Sequence, residues 1–167
     1  ISNRKNLMKL ADVCRKLNYP LVVAGPFVDK HTSDYLKELQ ASGVNIKLLG
    51  SLENNSYEMG YLYSHCKVFC LPSYYETPGI SALEAGLLGA NIVVTEVGGA
   101  EDYFADMALY VNPNSIKDLE NKLSSAWNRE WSQEQRDNLA EHVRNNFSWS
   151  NVATLTLENY NKVLECA

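Results

Sequence analysis

The sequence predicts a doubly wound α/β fold, a parallel sheet with helices on both faces, followed by a helical C-terminal segment. Three observations predict it. Five short apolar runs lack the period-two alternation of a half-solvated strand. Amphipathic helical stretches separate them, and glycine or proline closes several of them. The chain has 167 residues, the size of one domain, since domains run to roughly 100–200 residues.

Each element follows in order from spacing. Leu7, Leu10, Ala11, Cys14 and Leu17 fall at helical intervals, which predicts a helix ending near Asn18-Tyr19-Pro20. Leu21 to Ala24 reads as a buried strand stopped by Gly25-Pro26. A helix around Ser33 to Ala41, closed by Gly43, leads to a strand from Asn45 to Leu49. A third helix, Tyr57 to Ser64, leads to strand Lys67 to Leu71, and a fourth, Gly79 to Leu88, to strand Asn91 to Thr95. After a short strand at Ala108 to Val111 the pattern is helical from about residue 115 to 167. The chain opens with loop and helix where an α/β unit normally opens with a strand, so either the sheet begins late or an upstream strand is missing.

Composition narrows the function classes. Hydrophobic residues make up 46% and charged residues 21%, which disfavours disorder and coiled-coil architectures. The net charge is −5 and no basic run exceeds Arg4-Lys5, so nucleic acid is not an expected partner, while a compact anion held by one or two cations is compatible. No apolar run approaches the ~18 residues of a membrane span, and nothing at the start resembles a signal peptide. Cys14, Cys66, Cys70 and Cys166 lack C-x-x-C spacing and read as reduced structural thiols, which points to the cytoplasm. His31, His65 and His142 are scattered, so no metal site is expected. There is no G-x-S-x-G elbow and no G-x-G-x-x-G fingerprint. Trp127, Trp131 and Trp149 read as helix-packing groups, and Glu101-Asp102 as a cap on the helix that follows Gly98-Gly99.

Ligands of such sheets bind at the carboxyl ends of the strands. The richest candidate is the segment 72–81 after the third strand. Thr77 suits an N-cap and Pro78 the first helical position, leaving the next amides free, with Gly79 giving an anion room to approach. An ordinary Pro-Gly turn would use the same residues. Ile80, Glu84, Leu87 and Leu88 share one stripe of the helix, which predicts that Glu84 faces the sheet and needs donors. Those donors are either nearby amides such as Gly98-Gly99 or the vicinal hydroxyls of a ligand such as a ribose. Glu76, at the strand-end loop, faces the same cleft, flanked by Tyr74 and Tyr75.

Seven residues separate Glu76 from Glu84, with Pro78-Gly79 between them. In this the chain resembles the C-terminal, donor-binding domain of the retaining, nucleotide-sugar-dependent glycosyltransferases of family 4, whose GT-B fold pairs two Rossmann-like domains. Arg4-Lys5-Asn6, Leu21 to Gly25, Leu49-Gly50, Leu71-Pro72-Ser73, Glu84-Ala85 with Gly89, Thr95 to Gly99 and Phe147-Ser148-Trp149 also resemble family elements, so the likeness covers essentially the whole chain.

The resemblance implies a hexosyltransferase of polysaccharide or related biosynthesis that moves a sugar from a nucleotide diphosphate to a glycan, lipid or other acceptor. It implies that Glu76 contacts the donor sugar, that Glu84 binds the ribose, and that the amides of Gly79, Ile80 and Ser81 hold the diphosphate with Lys5 as the neutralising cation. Ser51 and Leu52 would approach the base. No metal or other cofactor is implied. The acceptor domain, and an arginine the family carries about five residues before the lysine, would lie ahead of Ile1, so residues 1–167 read as one nucleotide-sugar-binding domain truncated at its N-terminus and inactive alone. The protein is expected in the cytoplasm, with any contact to the inner face of a membrane made through that absent domain. A nucleotide-sugar 2-epimerase of the same fold and a non-catalytic nucleotide-binding domain are the alternatives.

Overall fold

The computed structural model describes residues 1–165. A 3-10 turn at Asn3–Lys5 leads into α1 (Leu7–Leu17), which ends at Asn18 in the left-handed conformation. Then come β1 (Leu21–Ala24), α2 (Lys30–Ala41), β2 (Ile46–Gly50), α3 (Tyr57–His65), β3 (Phe69–Leu71) and α4 (Ile80–Leu87). β4 (Ile92–Thr95), α5 (Ala100–Phe104) and β5 (Leu109–Val111) complete the α/β portion, and α6 (Ile116–Asn128), α7 (Gln133–Phe147) and α8 (Trp149–Glu165) follow.

The elements match the sequence pattern closely, and the differences have local causes. α2 begins three residues earlier than the apolar spacing suggests because Asp29 caps it, accepting from the amides of His31 and Thr32. Ser56, Ser115 and Ser132 cap α3, α6 and α7 in the same way, and Ser132 with Gln135 forms a capping box. Glu101 and Asp102 do not cap α5: its N-cap is Gly99, and both acids lie in the first turn.

All pairing is parallel, as expected, but the strands form two ladders rather than one sheet. β1 pairs with β2, and β3-β4-β5 form the second ladder. Between β1 and β3 lies an apolar gap of about 640 Å³.

β4 is buried at every position and has a core on each side. Ile92 and Val94 pack with Ala82, Ala85, Phe104, Leu139 and Val143 from α4, α5 and α7. Val93 faces the opposite way, onto Leu10 and Cys14 of α1 and Leu119 and Leu123 of α6. This alternation is what a doubly wound arrangement requires of a central strand. α2 adds a smaller cluster, Leu36 and Leu39 against Ile46 and Ala11.

The tryptophans divide. Trp127 stacks on Tyr19 with ring centroids 4.2 Å apart, and Trp131 donates from its indole nitrogen to the Gly89 carbonyl at 2.9 Å. Trp149 is 80% exposed and packs no core, because α8 buries none of its residues. Cys14, Cys66 and Cys70 are free thiols, and burial pushes Cys14 up to about 12 and Cys66 to about 11. Cys166 lies outside the described residues. Among the described residues no helix is long and apolar enough to cross a membrane.

Phe104 is fully buried where α4, α5 and α7 converge. Phe104→Ala is therefore expected to lower the unfolding free energy by about 3–5 kcal/mol, read as a lower urea midpoint with an unchanged slope.

Candidate functional site

The site is built where the loops after β3 and β4 join. Glu76 donates its amide to the Val97 carbonyl at 3.2 Å and accepts the Gly99 amide at 3.0 Å, forming an isolated parallel bridge with Gly98. Gly98 has φ +111°, and a Cβ there would lie 2.0 Å from the Glu76 carbonyl oxygen. Only glycine fits, so Gly98 fixes how closely the two loops approach.

A third segment closes over them. Asn6, buried and left-handed at φ 56°, donates its side-chain amide to the carbonyls of Pro72 and Pro113, each at 3.0 Å. The Tyr74 amide donates to the Arg4 carbonyl at 2.9 Å. The Asn3–Lys5 turn is thereby tied to the loops after β3 and β5, and its two cations reach Glu76.

Glu76 is 4% exposed. Its Oε1 accepts from Lys5 Nζ at 2.6 Å, Ser73 Oγ at 2.7 Å and Arg4 Nη1 at 3.0 Å. Arg4 also donates to the Tyr75 carbonyl. No described residue donates to Oε2. Burial alone would raise the carboxyl, but the hydrogen bonds from Lys5 and Ser73 and the charges of Lys5 and Arg4 outweigh it and hold Glu76 below its ordinary range.

The helix entry differs from expectation. Thr77 is not the N-cap of α4 and Pro78 is not its first residue: the cap is Gly79 and the helix starts at Ile80. Gly79 is left-handed at φ 68°, a turn glycine makes at little cost, and it carries the chain from the loop into the helix. No side chain caps this end, so the amides of Ile80 and Ser81 have no acceptor among the described residues. Lys5, Glu76, Thr77, Pro78, Gly79, Ile80 and Ser81 line one open cavity of about 330 Å³.

Glu84 corrects the expected face of α4. Ile80, Leu87 and Leu88 are 53%, 38% and 43% exposed, and Glu84 is exposed with them rather than turned to the sheet. The buried face is Ala82, Ala85 and Gly86. A Cβ on Gly86 would touch Phe104 and Val143 at 3.4 Å, so the smallest side chains occupy the face that α7 crosses and the larger ones turn outward. Gly98 and Gly99 are engaged with the Glu76 backbone. The donor to Glu84 is instead the Tyr63 hydroxyl, 3.0 Å from Oε2, and burial together with the Glu84 charge pushes that phenol up.

Ser51 and Leu52 lie on the loop after β2, and neither lines the 330 Å³ cavity. Tyr74 and Tyr75 are exposed beside Glu76, with the Lys9 ammonium 4.9 Å from the centre of the Tyr74 ring. No group of three histidine, cysteine or acidic residues that could hold a metal occurs among the described residues. Sequence reasoning missed Ser73 and Tyr63 as donors and the clamp made by Asn6. Glycine at 98 was visible in the sequence, but its reason, the approach of the Glu76 carbonyl, was not.

The arrangement combines a cation, free helix amides and a buried ionised carboxylate around one concavity, which suits an anion joined to a hydroxylated group. The family model described as glycosyl transferases group 1 matches residues 1–146. The O-antigen chain mannosyltransferase B of Escherichia coli is 28% identical over 150 residues, which cover 87% of this chain and 38% of that protein. An uncharacterised glycosyltransferase of Methanocaldococcus jannaschii is 31% identical over 160 residues, 92% of this chain and 40% of its own length. The chain thus spans about two fifths of these curated relatives. Among solved structures, the sucrose-phosphate synthase of Thermosynechococcus elongatus superposes with a TM-score of 0.83 at 21% identity, over 99% of this chain and 44% of that one. An Anabaena protein in complex with UDP and glucose gives 0.77 at 18% identity, over 97% and 46%.

The ionised Glu76 stabilises the folded state at neutral pH. Because its folded pKa lies below the ordinary 4.5, that contribution is present above 4.5 and is lost as pH falls from there through the lowered value. Lys5→Met removes the hydrogen bond and charge that lower it most, and is expected to shrink this acid-side loss, measured as urea midpoints of variant and parent across the acid range.

Proposed function

This chain belongs to the group 1 glycosyl transferases, and from that premise we propose that it is the donor-binding domain of a retaining transferase that moves a sugar from a nucleotide diphosphate to a glycan, lipid or other acceptor. The observation that carries the proposal is the shared cavity, where the Lys5 ammonium, the Glu76 carboxylate and the open N-terminal turn of α4 meet.

The diphosphate lies against the amides of Gly79, Ile80 and Ser81, where the helix end supplies about half a positive charge. Lys5 neutralises the charge that grows on the leaving nucleotide. Preorganised donors and a fixed cation stabilise such charge without reorganising, so no metal ion is required by this scheme. Glu76, with Oε1 occupied and Oε2 without a donor among the described residues, accepts from the sugar hydroxyls. Glu84, held at Oε2 by Tyr63, keeps its other oxygen for the ribose. Ser51 and Leu52 lie on the side of the base. The UDP and glucose of the Anabaena structure support a nucleotide sugar as the ligand class.

The acceptor site belongs to parts of the protein beyond residues 1–167, so this domain alone binds nucleotide and transfers nothing. The free thiols are those of a reducing compartment, which supports a cytoplasmic site of action, with any membrane contact made outside this domain. The epimerase and non-catalytic alternatives have no observation in their favour.

Two substitutions in the full-length enzyme test the roles. Glu84→Ala is expected to weaken nucleotide binding by about 1.5–3 kcal/mol, the worth of charge-assisted hydrogen bonds, and unchanged calorimetric titration would overturn the ribose role. Glu76→Gln keeps the shape of the side chain and is expected to lower turnover by at least about 100-fold with little change in nucleotide affinity. A variant with parental turnover would remove Glu76 from the chemistry.

A further inference from the structure

Glu84 stands on the exposed side of α4, yet its carboxylate is held. A glutamate on a helix surface turns about several bonds, and a ligand that captures it has to stop that motion. Here the Tyr63 hydroxyl, donating to Oε2 at 3.0 Å, stops it in advance. The donor is itself fixed. Tyr63 is buried, and its ring meets that of Phe69 in β3 edge-on, with centroids 5.8 Å apart. It belongs to the same core as Ala82 and Ala85, the buried face of α4, so donor and acceptor are carried by one packed unit.

The chemistry of the donor matters as much as its rigidity. A lysine or arginine in this place would hold the carboxylate through an ion pair, and an uncharged ligand hydroxyl would have to share it with a cation. A phenol is neutral. Burial together with the Glu84 charge pushes Tyr63 up, so it remains a donor throughout the neutral range. It takes one acceptor position on Oε2. An ionised carboxylate offers about four such positions, so two on Oε1 and one on Oε2 are left. Two vicinal hydroxyls can therefore each find an oxygen.

α4 sets where this carboxylate lies relative to the cavity. Glu84 follows Ile80 by four residues, so its backbone is about 6 Å farther along the helix and on the same exposed side. A ligand with its phosphates at the open amides of Ile80 and Ser81 meets Glu84 about one turn along, with its next group.

We propose that Tyr63 is a positioning residue for nucleotide recognition: its hydroxyl holds the Glu84 carboxylate in the orientation that accepts the vicinal hydroxyls of a ribose, and so sets the preference for ribonucleotides over deoxyribonucleotides. Tyr63 acts only through Glu84. The inference rests on the ribose role proposed for Glu84 and adds the residue that enforces it.

Calorimetric titration of the full-length enzyme with UDP, GDP and ADP and with their 2′,3′-dideoxy forms tests the proposal, using the base bound most tightly. The parent is expected to prefer the ribonucleotide by at least about 10-fold, and Glu84→Ala to abolish the preference. Tyr63→Phe keeps the ring and removes only the hydroxyl. It is expected to cut the preference by at least about 3-fold and to leave affinity for the dideoxy form unchanged. Tyr63→Met, which removes the hydroxyl through a side chain of different shape, is expected to give the same result. Adding Tyr63→Phe to Glu84→Ala is expected to change nothing further. The preference is a ratio measured on one protein, so a loss of folded material cancels from it.

Tyr63→Phe with the parental preference, beside a Glu84→Ala variant that has lost it, would overturn the positioning role and leave the ribose role standing. So would equal weakening of both ligands by Tyr63→Phe, the mark of a tyrosine that only supports the fold. A parent without a preference, a preference retained by Glu84→Ala, or a parent that binds none of the three nucleotides overturns the ribose role and this inference with it.

Discussion

The site depends on keeping an ionised carboxylate nearly buried at position 76. An unpaired buried carboxylate costs several kcal/mol, and here it is held by three donors that all converge on one oxygen. Two of those donors come from a 3-10 turn some seventy residues away in sequence. Such a turn would wander over the surface unless it were anchored, and Asn6 supplies the anchor by linking it to the loops after β3 and β5. Ser73 and the backbone bridge to Gly98 fix the carboxylate from its own side. The ion cluster, the clamp and the glycine are thus a single device, and each part loses its purpose without the others.

The same close packing explains α4. Ala82, Ala85 and Gly86 let α7 approach within van der Waals contact, and Gly89 meets Arg136 of α7 so closely that a Cβ would lie 3.0 Å from that side chain. With its small side chains committed to α7, the helix has only one orientation available. That orientation turns Glu84 outward toward Tyr63 and aims the uncapped amides at the cavity.

The strands and most helices were legible because periodicity and capping are local signals. Leu21–Ala24 needs only its own four residues and the Gly25-Pro26 stop. The composition of the site was legible too: Lys5, Glu76, Gly79, Ile80 and Ser81, singled out from sequence, do share one cavity. What failed were inferences that need a third dimension. The stripe through Ile80 and Glu84 is real, but a stripe does not say whether it meets a sheet or solvent, and here Ala82, Ala85 and Gly86 outcompete it for the buried face. The N-cap at Gly79 displaced Thr77 because the loop needs a left-handed turn, a requirement set by the direction in which the loop meets the helix. Trp149 behaves likewise: helical spacing marks an apolar face on α8 without supplying a partner for it.

The two carboxylates differ in a way that bears on how an anion could enter. Glu84 is exposed and held by one neutral hydroxyl, so a ligand can use it without breaking an ion pair. Glu76 is already paired with Lys5, so an anion entering the cavity meets an ammonium that is partly engaged. An ammonium has three donors, however, and Glu76 engages Lys5 through one oxygen. Arg4 supplies a second charge to the same oxygen, so a shift of Lys5 toward the ligand would not leave the buried carboxylate bare. A chain of net charge −5 can therefore present a focal anion site, because the Lys5 ammonium, with Arg4 sharing the charge of Glu76, and the uncapped end of α4 meet at one cavity whatever the overall sum.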